Sequence, residues 1–220
     1  MGTYVRPSAP APPGRLQSLA ETLVEDAADW LEGKSWTIRL PLLLYLAYAF
    51  VQHLRDPLYG SFLFGWITVL IHELGHVVLG FGPEFVAVAG GTLFQLGAPI
   101  ASAFLFLQQR DYFAITVAGC WLSFSIFQMA TYIADAREFA LDYVTVGSGE
   151  GEGIHDWDYM LTGVGLLEQE KTLAFLARTV AFAAGAGSLA AASWLLWRMW
   201  RSGRSERTMH SGRQSSKPRG

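Results

Sequence analysis

Residues 61–81 read SFLFGWITVLIHELGHVVLGF. At 1.5 Å per residue such a run is about 31 Å long as a helix, enough to cross a hydrocarbon layer of about 30 Å. Its one formal charge is Glu73, flanked by His72 and His76. An acidic side chain near the bilayer centre costs about 2.5–3.5 kcal/mol, so an intramembrane Glu normally has a partner and a task. Positions i and i+4 share one face of a helix, which lets the two imidazoles reach a single metal ion with Glu73 beside them. Two His and one further protein ligand leave a zinc ion with an open position for water. Zinc lowers that water's pKa towards 7 and polarises a carbonyl. The spacing therefore points to a hydrolytic metal site inside a membrane helix.

The rest of the chain has the same character. Four further apolar runs predict helices of spanning type: 36–54, 91–107, 112–134 and 172–197. The run at 91–107 is short and follows the Gly82-Pro83 and Gly90-Gly91 interruptions. Residues 16–32 place Leu16, Leu19, Leu23, Ala27, Trp30 and Leu31 at helical spacing against Glu21, Glu25, Asp26, Asp29 and Glu32, which predicts an N-terminal amphipathic helix. The expected fold is thus an all-α polytopic membrane bundle of about five transmembrane helices plus that helix. Its parts are a polar segment at 1–35, a transmembrane domain at 36–199 with an acidic Gly-rich loop at 135–171, and a basic, disordered tail at 200–220.

Composition agrees and excludes several classes. Of 220 residues, 51% are hydrophobic and 16% charged, and the mean hydropathy is +0.26 despite two polar ends. The single cysteine, Cys120, rules out a disulfide scaffold or a Cys-rich zinc ribbon. Seven of the 16 Lys and Arg lie from Arg198 onward, whereas Arg110 is the only one between Arg55 and Arg137. The basic tail at 200–220, whose one aromatic is Trp200 at its start, lacks the aromatic interleaving of a nucleic-acid surface and fits topology or anionic headgroups, so no nucleic-acid partner is expected.

The third metal ligand is open among three residues. The segment after the fourth span emerges on the same membrane face as Phe81 and contains His155-Asp156-Trp157-Asp158. Asp156 and His155 are near-equal candidates, ahead of Asp135, for which a salt bridge with Arg137 or a helix-end contact is the competing reading. Asp156 could instead cap the helix that follows it. Ser123, Ser125, Gln128 and Thr131 read as interhelical hydrogen bonders, and Cys120 as a small apolar packer.

These residues resemble the intramembrane zinc metalloproteases of the site-2 protease type, particularly small bacterial members. His72-Glu73-Leu74-Gly75-His76 within a span, Gly90-Gly91-Thr92 shortly after it, and an acidic residue beside Trp157 carry the resemblance. It reaches from about Ser61 to Leu161. The Leu-Asp-Gly element typical of the family stands here as Leu141-Asp142-Tyr143. The resemblance implies zinc ligation by His72, His76 and an aspartate, Glu73 as general base, and Gln95 near Pro99 as a substrate-binding residue. It also implies a membrane-protein helix as substrate and residence in a bacterial inner membrane, with the oligomeric state left open. Two other classes compete: a non-catalytic metal-binding membrane protein that engages a partner, and a metal or solute transporter.

Overall fold

The computed structural model describes residues 15–141 and 155–215, and every regular element among them is helical. The helices are α1 (Arg15–Trp30), α2 (Leu40–Arg55), α3 (Gly65–Leu79), α4 (Glu84–Gln108), α5 (Tyr112–Asp135), α6 (Asp156–Gly163) and α7 (Glu170–Ser215), the last preceded by a 3-10 turn at Leu167–Gln169. Sequence punctuation sets several of these limits. Pro41 occupies the first turn of α2, where its missing N–H costs no helical bond. Asp111 caps α5 by accepting the Ala114 N–H at 3.0 Å.

Three helical segments are long and apolar enough to cross a membrane: Glu84–Gln108, Tyr112–Asp135 and Leu167–Arg204. Helix α3 is apolar but has only 15 residues, about 22 Å, and α2 has 16. The third run differs from expectation. Gly82-Pro83 does break the chain, but Gly90 and Gly91 lie inside α4, which makes this span 25 residues long. Gly90 serves packing with Gly75 of α3: a Cβ on Gly90 would stand 2.9 Å from the Gly75 carbonyl carbon, and one on Gly75 would stand 2.6 Å from the Gly90 carbonyl carbon. Glycine at both points lets α3 and α4 approach backbone to backbone. Helix α4 also continues through Pro99. Helix α7 runs on to Ser215, into the segment read from composition as a disordered tail.

Helix α5 is the axis of the bundle, packing on α7 and α4 and more lightly on α2 and α6. Three apolar layers stack along it. Phe113 meets Ala27, Leu31, Leu43, Leu195 and Met199 at one end; Phe124 and Phe127 meet Leu46, Phe50 and Ala181 in the middle; Ile133 meets Leu161 and Ala174 at the other. Polar side chains join the helices. Ser123 donates to the Ala181 carbonyl at 2.7 Å, Thr131 to the Pro57 carbonyl at 3.0 Å, and the Trp121 indole N–H to Thr68 Oγ1 at 2.9 Å. Cys120 is fully buried. Helix α3 lies on the outside: Trp66, Leu70, Leu74 and Val77 form an apolar stripe with 79%, 69%, 49% and 68% exposure. An uncovered stripe of that size suits contact with lipid better than with water.

Candidate metal centre

The Trp121–Thr68 bond and the Gly75–Gly90 crossing fix α3 so that His72 and His76 face α4 rather than lipid. Behind each imidazole stands an oxygen acceptor. His76 Nδ1 is 2.9 Å from the Ala87 carbonyl, which can only accept, so this nitrogen carries the proton. His72 Nδ1 is 2.9 Å from Gln95 Oε1, and the Gln95 amide is oriented by its NH₂, which donates to the Ser125 carbonyl at 3.0 Å. Both Nδ1 atoms are therefore donors, and in the neutral rings both Nε2 atoms present bare lone pairs.

Those lone pairs converge with a carboxylate. His72 Nε2, His76 Nε2 and Asp156 Oδ2 form a triangle whose three sides are each 3.1 Å. Three lone pairs at that spacing repel one another unless a cation lies among them. Donor atoms about 2.0–2.1 Å from a tetrahedral zinc are separated by roughly 3.3 Å, so the triangle fits such an ion, and two His plus one carboxylate is a zinc-hydrolase donor set. Among the described residues this is the one group of three or more His, Cys, Asp or Glu placed to hold a metal ion. Gly91 completes the cradle. A Cβ there would sit 2.6 Å from His72 Cε1 and close against both Nε2 atoms, so only a residue without a side chain leaves this space open.

Asp156 reaches the triangle because a separate set of contacts positions α6. The capping residue is His155, not Asp156: its Nδ1 accepts the Asp158 N–H at 3.2 Å. Capping by the neighbour leaves the Asp156 carboxylate for the two imidazoles. With Nδ1 accepting, the His155 ring carries its proton on Nε2, which lies 3.7 Å from Asp135 Oδ2. Asp135 also accepts from the N–H groups of Ala140 (2.9 Å) and Leu141 (3.2 Å), closing the end of α5. Of the three candidates for third ligand, the structure thus brings Asp156 to the imidazoles and sets His155 and Asp135 behind it as a buried pair.

Glu73 is half-buried on α3, within electrostatic range of His76, and makes no hydrogen bond among the described residues. Tyr132 on α5 is within the same range of Glu73, Asp135 and Asp156. Gln95 is buried with both ends of its amide engaged, a place from which it orients His72. Asp142 and the Gly/Glu-rich run lie outside the described residues. Compared with known families, with curated proteins and with solved structures, the chain matches none.

Proposed function

We propose that this chain is a zinc-dependent intramembrane endopeptidase that hydrolyses a peptide bond in a membrane-protein helix. The observation that carries the proposal is the triangle of His72, His76 and Asp156 donor atoms with both imidazole tautomers fixed from behind. In this reading α2 and α3 are embedded beside the three longer helices, giving five membrane-inserted segments, and the exposed stripe of α3 meets lipid in a bacterial inner membrane.

His72, His76 and Asp156 would hold the zinc, which when bound supplies Lewis acidity towards the scissile carbonyl and lowers the pKa of a water. Glu73 takes the proton from the attacking water and returns it to the leaving amide nitrogen. Gln95 and the Ala87 carbonyl keep each imidazole in the tautomer whose Nε2 can bind; such supporting bonds typically govern metal affinity. The Asp135–His155 pair keeps α6 in register so that Asp156 stays within reach. A substrate helix must unwind locally to present a peptide bond, because intact helical amides are hydrogen-bonded within the segment.

A second reading has its own support. Separations of 3.1 Å are also ordinary hydrogen-bond lengths, which favours a non-catalytic cluster bridged by a proton instead of a metal. Metal analysis of the purified full chain, with cleavage of a reporter transmembrane helix before and after chelation, separates the two. The peptidase reading expects one zinc per chain and cleavage that chelation stops and zinc restores. A metal-free chain, or cleavage indifferent to chelation, refutes it.

A further inference from the structure

The end of the bundle opposite the metal centre carries a feature that peptide hydrolysis does not use. On α7, Arg198 lies over the Trp194 ring (5.5 Å to its centroid), Arg201 over Trp197 (4.9 Å) and Arg204 over Trp200 (4.9 Å). Each pair is spaced i, i+4, so three guanidinium groups rest on three indoles along almost three turns. At 100° per residue these six positions share a face of α7. The opposite face carries Ala192, Leu195, Leu196 and Met199, buried in the layer with Ala27, Leu31, Leu43 and Phe113; Trp194, at the edge of the Trp–Arg face, packs partly against that layer, whereas Trp197, Trp200, Arg201 and Arg204 are exposed.

Length places this face at a definite depth. The segment Leu167–Arg204 has 38 residues, about 57 Å of helix against a bilayer of about 40–45 Å including headgroups. The apolar stretch ends near Trp197, so the rungs from Trp194 to Arg204 stand at the headgroup level and just beyond. Indoles favour that level. A guanidinium already stacked on an indole presents its N–H edge to a phosphate with little further loss of side-chain freedom.

We infer that the Trp–Arg face of α7, from Trp194 to Arg204, is a binding surface for the phosphate headgroups of anionic phospholipids. The surface fixes the depth of α7 and holds the metal centre towards the opposite leaflet. It is independent of whether the metal centre is catalytic.

The test is native mass spectrometry of the detergent-solubilised full chain exposed to phosphatidylglycerol or phosphatidylcholine. The wild type retains phosphatidylglycerol in clear excess, and the triple variant R198Q/R201Q/R204Q binds it about two orders of magnitude more weakly, at the level of phosphatidylcholine. The triple lysine variant, R198K/R201K/R204K, keeps the three charges without the stacked guanidinium edge, so it retains part of the excess and shows that substitution on this face leaves a folded protein. No preference in the wild type, an unchanged preference in the glutamine variant, or its loss in the lysine variant overturns the inference. Zinc content in the same samples stays at the wild-type level, so failure here is distinguishable from failure of the peptidase reading.

Discussion

Replacing Gly91 with alanine tests the metal cradle without touching a ligand. The new methyl would stand 2.6 Å from His72 Cε1 and closer still to the two Nε2 atoms. Unstrained carbon contacts need about 3.5–4.0 Å, so the imidazoles or the α4 backbone must move by about 1 Å. Zinc sites hold their ligand distances within about 0.2 Å, so a shift of that size removes the site even though all three donors remain. Overpacking of this kind also destabilises by about 1–3 kcal/mol. Gly97→Ala is the matched control, because a Cβ there meets nothing within 4 Å. The assay is zinc stoichiometry after dialysis, together with thermal unfolding of the purified chain. Gly91→Ala should lose its zinc and unfold a few degrees lower, while Gly97→Ala keeps both properties. A Gly91→Ala protein that binds one zinc with wild-type affinity would refute the placement of the ion among these atoms.

The residues around the triangle should separate by readout. Gln95→Leu removes the acceptor behind His72 and should weaken zinc binding about 10- to 100-fold, measured by chelator competition. Asp156→Ala should abolish zinc binding and unfold at the temperature of the zinc-stripped wild type, since the carboxylate is partly exposed and caps nothing, so that only the stabilisation due to bound metal is lost. Asp135→Ala should act mainly on stability: it strips acceptors from the N–H groups of exposed Ala140 and half-buried Leu141, costing about 0.5–1.5 kcal/mol for each bond, while zinc is retained at reduced affinity.

The motif in α3 was legible in the sequence because a charged residue and two imidazoles stand out in an uncharged run, and because i, i+4 spacing has one geometric meaning in a helix. Asp156 was legible only as one of three candidates. What separates it from His155 and Asp135 is a tertiary arrangement: His155 turns its ring back onto Asp135 and caps α6, and neighbouring letters carry no record of that. Gln95 was singled out for a substrate role, and its place behind His72 depends on which α4 residue lies level with which turn of α3. The glycines at 90 and 91 were read as a break in regular structure. Glycine weakens a helix locally, and here the α3 contact compensates, so the same residues lengthen α4 instead of ending it. The lengths of α2 and α3 fell short of the apolar runs that predicted them because the residues flanking each helix form turns.

The most direct measurement is made on Glu73→Gln, which keeps the size and polarity of the side chain and removes its capacity to take a proton. Zinc content and cleavage of a reporter transmembrane helix are read on the same preparation. The account predicts one zinc per chain, as in the wild type, with cleavage reduced at least 100-fold, the contribution of about 10²–10⁴ expected of a general base. Cleavage that survives the substitution at the wild-type rate would contradict it.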